Sequence, residues 1–210
     1  MTTVPPKREL ERRLSAVEGF DDPTAEREQY RTPSPIAAHV VHLAGLHGDL
    51  ECPVVDLGSG TGMLAIGTAL AGAASVTGVE IDPAAVAVAR ENAASVAPDE
   101  HVEWVLGDAT RPPVCVEDAT VLMNPPFGAQ RGARHADRAF LETAADLAAV
   151  SYSIHNRGSE AFVESFAADN GGEVTHAYAA AFEIPNQFDF HEDDSRTITT
   201  EVFRIVWDRP

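Results

Sequence analysis

Cysteine is scarce in this chain, and long apolar runs are missing from it. Cys52 and Cys115 are the only cysteines in the 210 residues, too few for a disulfide scaffold or a structural zinc site. Although 44% of the residues are hydrophobic, no apolar run is long enough to span a bilayer. No apolar stretch follows the basic residues near Lys7, as a secretory signal would require. We therefore expect a cytoplasmic protein with two free thiols, no membrane association and no metal site.

The chain also has few basic residues relative to acidic ones. Asp and Glu number 33 against 15 for Lys and Arg, which gives a formal net charge of −18, and Lys7 is the single lysine. Nucleic-acid-binding proteins normally present a basic surface, so this balance argues at first sight against an RNA or DNA ligand. A dense carboxylate surface with almost no lysine is also typical of haloarchaeal proteins, which stay soluble in molar salt, where the Debye length is only about 3 Å. We therefore interpret the composition as a sign of a halophilic source rather than of the ligand.

A regular alternation of strand and helix patterns begins at residue 52. Runs rich in β-branched residues alternate with apolar residues at helical spacing, which is typical of a parallel, doubly wound sheet. The predicted strands are 53–57, 75–80, 102–106, 119–123 and 148–154, and the predicted helices between them are 62–72, 83–95 and 137–147. Two longer strands follow, at 173–184 and 197–207. A terminal antiparallel pair on a parallel sheet indicates an α/β, Rossmann-like class I methyltransferase fold with a seven-stranded, mostly parallel sheet.

The first 50 residues have a different, helical pattern. Residues 7–18 and 35–47 carry apolar side chains at helical spacing, and a further helical stretch ends near 28–33. The length of the chain suits one compact unit with a substantial core. We predict an N-terminal helical extension over residues 1–50 that packs on a domain of this methyltransferase fold over residues 51–210.

A glycine-rich turn joins the first predicted strand to the helix that follows it. Residues 54–62 read Val-Val-Asp-Leu-Gly-Ser-Gly-Thr-Gly, and glycines at such a junction let a ligand approach the backbone closely. A dinucleotide fingerprint would need its third glycine one residue later, and a nucleotide P-loop would need a lysine that the turn lacks. S-adenosylmethionine has no phosphate to neutralise and carries an ammonium group and a sulfonium, so it suits the acidic Asp56 just before the turn. We therefore predict S-adenosylmethionine as the cofactor.

Two further carboxylates end the next two predicted strands. Glu80 ends the second strand, where a carboxylate can accept hydrogen bonds from both hydroxyls of a ribose. Asp108 ends the third, where it can bond the adenine amine of the cofactor. Taken singly, each carboxylate is more simply a solvated loop residue or a helix cap. The ordered set of acid, glycine turn, acid and acid at successive strand ends favours a cofactor site.

The most specific motif follows the fourth predicted strand and consists of Asn124, Pro125, Pro126 and Phe127. The side-chain oxygen of Asn124 and the carbonyl of Pro125 can both accept hydrogen bonds from an –NH₂ group. Such bonds draw the nitrogen lone pair out of conjugation and direct it at a methyl donor, while Phe127 offers a ring for stacking. The motif predicts methylation of a planar, conjugated nitrogen, and a strand followed by a plain Pro-Pro turn is the alternative.

Several longer segments resemble one family. The chain is similar to the adenine-N6 ribosomal RNA methyltransferases of the methyltransferase-like-five type, in their archaeal form, over the segments ELERRLSAVEGF, EQYRTPSPIAA, DLGSGTGMLAIGTALAGA, GVEID, MNPPFGAQRGARHADRAFLETA, VSYSIHN and IPNQFDFH. The pattern Glu-Gln-Tyr-x-Thr, together with Met-Asn-Pro-Pro-Phe-Gly and the Tyr-Ser-x-His strand, separates the chain from generic Asn-Pro-Pro-Tyr/Phe enzymes. The resemblance implies S-adenosylmethionine-dependent N6-methylation of an adenosine in small-subunit ribosomal RNA.

The resemblance also implies a role for individual residues. It assigns three residues ahead of the domain to covering the cofactor: Gln29, Tyr30 and Thr32. It assigns a second group to lining the cofactor: Gly58, Gly60, Glu80, Ile81, Asp108 and Ala109. The catalytic residues that hold the target adenine would be Asn124, Pro125, Pro126 and Phe127.

A protein partner is implied as well. Family members form a heterodimer with a small methyltransferase activator protein of the Trm type, which pairs with the third strand of the sheet. Because an apolar edge strand invites pairing, Val102, Trp104 and Leu106 are the expected contacts. Packing of Trp104 under a neighbouring helix is the alternative.

One segment departs from the family pattern. Family members generally carry basic residues after the Phe-x-Phe-His segment, whereas this chain has acidic residues at 192–194. Contacts to RNA phosphates would then fall to three arginines that follow the catalytic turn: Arg131, Arg134 and Arg138. A solvated loop and helix face with incidental arginines is the alternative.

Two other functions stay open at the level of sequence. A glutamine N5 protein methyltransferase acting on release factors would use the same pair of acceptors on a side-chain amide. A catalytically silent RNA-binding scaffold would keep the cofactor pocket without turnover. The intact Asn-Pro-Pro-Phe motif argues against the scaffold, which has no evident need for that chemistry.

Overall fold

The computed structural model describes residues 4–21, 23, 29–126, 136–185 and 195–208. The helices are α1 (Lys7–Leu14), α2 (Ser34–Leu46), α3 (Met63–Leu70), α4 (Pro83–Val96), α5 (Ala136–Leu147) and α6 (Glu160–Asp169). The strands are β1 (Val54–Leu57), β2 (Val76–Glu80), β3 (Glu103–Leu106), β4 (Ala119–Met123), β5 (Ala148–Asn156), β6 (Gly172–Pro185) and β7 (Ser195–Trp207). A short 3-10 turn, Asp49–Glu51, joins α2 to β1. No helix in this part of the chain is both long and apolar enough to cross a membrane.

The strands form one seven-stranded sheet in the order β3-β2-β1-β4-β5-β7-β6. The pairs from β3 to β5 are parallel, and β7 pairs antiparallel with both β5 and β6. The predicted fold is therefore confirmed, including its C-terminal antiparallel pair. Because β1, β2, β3 and β4 run in the same direction, their carboxyl ends meet along one edge of the sheet, which is where open α/β sheets bind ligands.

Two details of the sequence-based element prediction differ from the structure. Residues 29–33 are not helical, because Pro33 precedes α2 with φ −58 and ψ 138, an extended geometry that disagrees with a continuing helix. Helix α6 was not predicted, although Val163, Phe166 and Ala167 occur at helical spacing and are buried. Its ten residues form a short run between two strands, where periodicity is a weak signal.

Helices cover both faces of the sheet. On one face, α1, α2 and α3 form an apolar cluster with Val54 of β1 and Leu122 of β4. Leu10 and Leu14 of α1 are fully buried there. On the other face, α5 and α6 pack in a second cluster that includes Phe203 of β7. The N-terminal helices therefore share the core of the sheet rather than lying on its surface.

Strand β3 forms one edge of the sheet, as expected, but only part of it faces outward. Val102 is buried, and Trp104 packs partly buried against the core, which is the stated alternative to the expected partner contact. A Cβ at Gly78 would lie 2.6 Å from Trp104 Cζ3, and one at Gly62 would lie 2.7 Å from Trp104 Cη2, so both glycines make room for the indole. Leu106 is 57% exposed. Of the three expected partner contacts, Leu106 is therefore the one on the surface.

Arg204 on β7 holds the turn after α2 against the sheet. Its Nε and Nη2 donate to Asp49 Oδ2 and Oδ1 at 2.8 and 2.9 Å, and the Tyr152 hydroxyl donates to Asp49 Oδ2 at 2.6 Å. Arg204 Nη1 donates to Thr175 Oγ1 of β6 at 2.8 Å. The side chains of Arg204 and Asp49 are 12% and 9% exposed. Burial and the bond to Asp49 raise the pKa of Tyr152 above its ordinary value, so the phenol remains a donor.

Asp56 in β1 lies beneath the start of α3. It is 1% exposed, and its Oδ2 accepts a hydrogen bond of 2.9 Å from the N–H of Ala65. N–H groups in the first turn of a helix have no partner within the helix, so Asp56 caps α3 from the sheet. Burial raises the pKa of Asp56 to about 7; the Ala65 bond opposes this shift and the charge of Glu80 adds to it.

Replacing Asp49 with alanine is expected to destabilise the fold strongly. The variant leaves Arg204 and Tyr152 without their acceptor, and removal of one partner of a buried ion pair costs about 3–5 kcal/mol. Urea unfolding in molar salt measures the change in the free energy of unfolding. The exposed neighbour Glu51 provides the control, and Glu51→Ala should change it by less than about 0.5 kcal/mol. Similar losses in the two variants would contradict the role given to the network.

Asparagine at position 56 should remove a pH dependence of stability. Because the folded-state pKa of Asp56 lies above its ordinary value, the folded protein binds this proton more tightly than the unfolded chain does. The stabilisation of the folded state by this proton is fully present below pH about 4. It is lost as the pH rises through about 7. Asparagine keeps an acceptor for the Ala65 N–H and has no proton to lose.

Over that range the wild type should lose on the order of 1–4 kcal/mol of unfolding free energy relative to Asp56→Asn. Urea titrations at several pH values measure this difference. The exposed Asp169→Asn variant is the control, and its unfolding free energy should depend on pH in the same way as that of the wild type. Parallel curves for the wild type and Asp56→Asn would show that Asp56 does not titrate in this range.

Candidate functional site

A cavity of about 330 Å³ opens at the carboxyl ends of β1 to β4. Its walls come from the strand ends, from α5 and from the segment that precedes α2. The lining residues are Phe20, Gln29, Tyr30, Arg31, Thr32, Gly58, Ser59, Gly60, Thr61, Met63, Glu80, Ile81, Asp108, Ala109, Asn124, Pro126 and Phe140. A cavity of this size and position can hold a small cofactor.

The glycine turn after β1 forms the floor of the cavity. Gly58 and Gly60 have φ values of +69 and +53, in the left-handed region that favours glycine. Aromatic rings lie over both: a Cβ would lie 3.0 Å from Phe140 at Gly58 and 3.0 Å from Phe20 at Gly60. Side chains at these positions would therefore meet both backbone strain and a ring, so the turn keeps its bare backbone beside the cavity.

Glu80, the last residue of β2, connects the glycine turn to the next strand end. Its Oε2 accepts a hydrogen bond from the N–H of Gly60 at 2.8 Å, and its Oε1 accepts bonds from Ile81 and Asp82 at 2.9 Å each. The three N–H groups offset the cost of keeping this carboxylate 8% exposed. Glu80 thus places a fixed negative charge in the cavity wall.

The rim of the cavity combines a polar and an apolar group. Asp108 is exposed, and its Oδ1 accepts hydrogen bonds of 2.8 Å from both the N–H and the hydroxyl of Thr110. Ile81 is 60% exposed, and Ala109 is buried beside it in the lining. Together these residues place apolar surface in the same lining as a carboxylate.

Residues 29–32, the segment before α2, line the cavity and are tied to neighbouring parts of the chain. Gln29 Nε2 donates to Asp82 Oδ2 at 2.7 Å. Asn92 of α4 accepts from the N–H of Glu18 at 2.9 Å and donates to the carbonyl of Thr61 at 2.9 Å. Arg31 Nη1 donates to the carbonyl of Val17. The segment is therefore a fixed wall of the cavity, held by specific polar contacts.

Asn124 lies directly after β4 and reaches the opposite wall. Its Nδ2 donates to Thr32 Oγ1 at 2.9 Å. Its Oδ1 is shielded from solvent and has no hydrogen-bond partner among the described residues. Pro126 also lines the cavity, whereas Pro125 between them is buried. A buried acceptor without a donor is costly, which points to a ligand that supplies the donor.

Most of the residues predicted from the sequence come together in this cavity: Gln29, Tyr30, Thr32, Gly58, Gly60, Glu80, Ile81, Asp108, Ala109, Asn124 and Pro126. Asp56 does not line it, because its side chain turns under α3. Phe127, Arg131 and Arg134 lie outside the described residues.

Arg138 is also placed away from the cavity. On α5 it donates to Glu142 Oε1 at 3.1 Å, and its guanidinium lies 5.3 Å from the centre of the Phe166 ring. His155, on the Tyr-Ser-Ile-His strand, is buried against Phe203, and burial lowers its pKa to about 4. Its Nε2 is 2.9 Å from Ser153 Oγ, so the ring is a neutral part of the core.

Sequence reasoning missed six lining residues: Phe20, Arg31, Ser59, Thr61, Met63 and Phe140. Ser59 and Thr61 alternate with the predicted glycines, so their position in the turn could have included them. Phe140 belongs to the apolar pattern of α5. That pattern predicted a position in the core and gave no sign that Phe140 would line a cavity. Phe20 sits in a loop, and nothing in the pattern around it indicated that it would reach Gly60.

The described part of the cavity lining carries more negative than positive charge. Among these residues, Glu80 and Asp108 supply two carboxylates and Arg31 supplies one guanidinium. Bare backbone at the glycine turn, a carboxylate beside it and an apolar rim can hold a small, flat, cationic molecule. The free amide oxygen of Asn124 can accept a hydrogen bond from an amine placed next to it.

Comparisons with known proteins agree with this geometry. The family model of the methyltransferase small domain matches residues 41–150. A Methanocaldococcus jannaschii protein is 35% identical over 95% of this chain and 93% of its own length. The rRNA N(6)-adenosine-methyltransferase Mettl5 of Drosophila melanogaster is 34% identical over 94% of this chain and 95% of its own. The crystal structure of a Pyrococcus horikoshii protein, assigned as an RNA methyltransferase, is 39% identical, with a TM-score of 0.86 over 98% of this chain and 99% of that one.

These matches extend over nearly the whole length of this chain and of each relative. They therefore include the N-terminal segment and the C-terminal strand pair as well as the glycine turn. The family expected from the sequence is confirmed. The chain belongs to the methyltransferase-like-five family, among the proteins of the methyltransferase small domain.

Proposed function

We propose that this protein transfers a methyl group from S-adenosylmethionine to N6 of an adenosine in ribosomal RNA, and that the target lies in the small subunit. The observation that carries the proposal is the unpaired oxygen of Asn124 at the wall of an acidic cavity. The name of the Drosophila melanogaster relative, an rRNA N(6)-adenosine-methyltransferase, supports the choice of substrate. The arrangement joins a cofactor site to an acceptor for an amine.

The cavity suits S-adenosylmethionine in charge and in shape. Its sulfonium and ammonium groups are attracted by the carboxylates of Glu80 and Asp108. Glu80 Oε2 accepts a single N–H, that of Gly60, and so keeps an acceptor position for a ribose hydroxyl. The exposed Ile81 offers an apolar face to the adenine of the cofactor, and Asp108 can accept its amine.

Asn124 is the residue that selects an amine. Its Oδ1 can accept one N–H of the adenine amine, and the carbonyl of Pro125 is the second acceptor that the motif predicts. An adenine inside a duplex cannot reach this wall, so the target must be unpaired or turned out of its stack. Phe127 is the proposed stacking partner of the base.

The transfer depends on positioning more than on acid–base chemistry. S-adenosylmethionine supplies a methyl group that is already activated on its sulfonium. The Asn124 oxygen holds the amine so that its lone pair, drawn out of conjugation, points along the line of attack. As the new N–C bond forms, the bond from the methyl carbon to the sulfonium sulfur would break and leave a neutral thioether. The methylated nitrogen, now cationic, would then release a proton to water. The Asn124 oxygen that would receive the amine is itself shielded from bulk solvent.

Glutamine methylation uses the same acceptor on a side-chain amide, so the cavity alone does not separate the two substrates. The near full-length similarity to an rRNA N(6)-adenosine-methyltransferase supports the adenine. A release factor bearing the Gly-Gly-Gln motif is therefore the substrate to test in parallel. The silent scaffold does not explain an acceptor that lacks a donor beside the cofactor cavity.

The edge strand β3 is the proposed docking site for a small activator protein. Within the described part of the chain, no strand pairs with the backbone along the outer side of β3. Leu106 at the end of this strand is 57% exposed, next to the rim of the cavity at Asp108. A partner that adds a strand here would cover an apolar residue and brace the rim. Trp104 packs beside Gly62 and Gly78 and supports the strand from the core side.

Asn124→Ala should abolish transfer while cofactor binding is retained. Loss of the amine acceptor is expected to lower kcat by about 100-fold or more, with the Kd of S-adenosylmethionine changed by less than about threefold. The assay mixes protein, labelled cofactor and ribosomal RNA from a deletion strain in molar salt, and counts N6-methyladenosine after digestion. The exposed Asn156→Ala is the matched control and should keep wild-type turnover. Loss of cofactor binding in the Asn124 variant would contradict the role of this residue.

Leu106→Glu should weaken the complex with the activator protein. A charge on the exposed edge opposes burial of β3, and we expect the Kd of the complex to rise by about tenfold or more. Calorimetry with the purified activator measures the effect. Leu46→Glu is the matched control, because Leu46 is an exposed leucine on α2, 65% accessible. Equal affinities for the two variants would place the partner elsewhere.

A further inference from the structure

Thr32 links the N-terminal segment to the amide that is proposed to hold the target base. Its Oγ1 accepts the hydrogen bond from Asn124 Nδ2, at 2.9 Å, across 92 residues of sequence. Thr32 is 8% exposed and lines the cavity, and Pro33 and the buried helix α2 follow it directly. The backbone that carries the Thr32 hydroxyl is therefore fixed by the buried helix that follows it.

The bond determines how the Asn124 amide presents itself. A primary amide carries its donor and its acceptor on one planar group, so holding Nδ2 also sets the direction of Oδ1. Among the described residues, Oδ1 has no hydrogen-bond partner that would orient it. Terminal amide torsions are soft, so without a partner at Nδ2 the plane would turn freely.

Orientation matters because the two ends of the amide have opposite effects on an amine. The oxygen accepts an N–H from the amine, whereas an –NH₂ group in its place would set donor against donor. An amide that spends most of its time turned away would lower the rate in proportion, although the cofactor would still bind.

We propose that Thr32 is a positioning residue, which fixes the Asn124 amide with its oxygen free for the target amine. The inference rests on the proposed function and adds to it that the segment before α2 completes the substrate side of the site. Two neighbouring contacts support it: Gln29 Nε2 bonds Asp82 Oδ2 at 2.7 Å, and Arg31 Nη1 bonds the carbonyl of Val17. These contacts hold the backbone on the N-terminal side of Thr32, as α2 holds it on the other.

The test compares Thr32→Val, which has a similar shape and no hydroxyl, with Thr32→Ser, which keeps the hydroxyl. We expect Thr32→Val to lower kcat by about 10- to 100-fold, with the KM for RNA and the Kd of S-adenosylmethionine within about threefold of the wild type. Thr32→Ser should stay within about threefold of the wild type in kcat. Thr68→Val is the matched control: Thr68 is also buried, but its hydroxyl bonds only the Leu64 carbonyl within α3. It should keep wild-type turnover.

A second measurement, by NMR, detects the hydrogen bond between Thr32 and Asn124 directly and does not depend on enzyme activity. The side-chain ¹H–¹⁵N signals of Asn124, assigned through their loss in Asn124→Ala, should shift in Thr32→Val and stay in place in Thr32→Ser. Full kcat in Thr32→Val, an equal loss in Thr32→Ser, or a parallel loss of cofactor affinity would each overturn the inference. A wild type that binds cofactor but methylates no RNA would instead overturn the proposed function, and the Asn124 signals would still decide whether Thr32 holds the amide.

Discussion

The carboxylate of Glu80 is the interaction on which the shape of the site depends. It accepts three backbone N–H groups, from Gly60, Ile81 and Asp82, and so joins the loop after β1 to the loop after β2. Parallel strands bring these loops to one edge, but their sequence alone leaves the loops free to move apart. With Glu80 between them, the glycine turn, the apolar rim and the carboxylate form one rigid wall.

The opposite wall has a different origin. It comes from the segment before α2 and from Asn124 after β4, which are joined by the Thr32 hydroxyl. Since α2 shares the apolar core with β1 and β4, the described part of this segment leads directly into a helix that is held in the core. The cavity is thus bounded by a wall that belongs to the sheet and a wall that the N-terminal part of the chain supplies.

Features governed by local pattern could be predicted from the sequence. Glu80 and Asn124 follow recognisable strands, and strand ends meet in a parallel sheet, so their convergence on one cavity was foreseeable. The packing of Trp104 was left open between two alternatives, because it depends on the space left by Gly62 and Gly78 in other elements. The bond from Thr32 to Asn124 joins residues far apart in the chain, and no periodicity records such a pair. Asp56 stands beside the turn in sequence, but the direction of its side chain beneath α3 is a matter of packing.

The ion pair between Arg204 and Asp49 has a consequence for how the protein responds to its surroundings. Mobile ions weaken attraction between charges that they can approach, as at the pair of Arg138 and Glu142, whose side chains are 53% and 54% exposed. They reach the pair of Arg204 and Asp49 far less, since those side chains are 12% and 9% exposed. The ion pair between Arg204 and Asp49 therefore has nearly the same strength in dilute buffer as in molar salt. The repulsion among the surface carboxylates of this chain, whose net charge is −18, instead changes with the ionic strength.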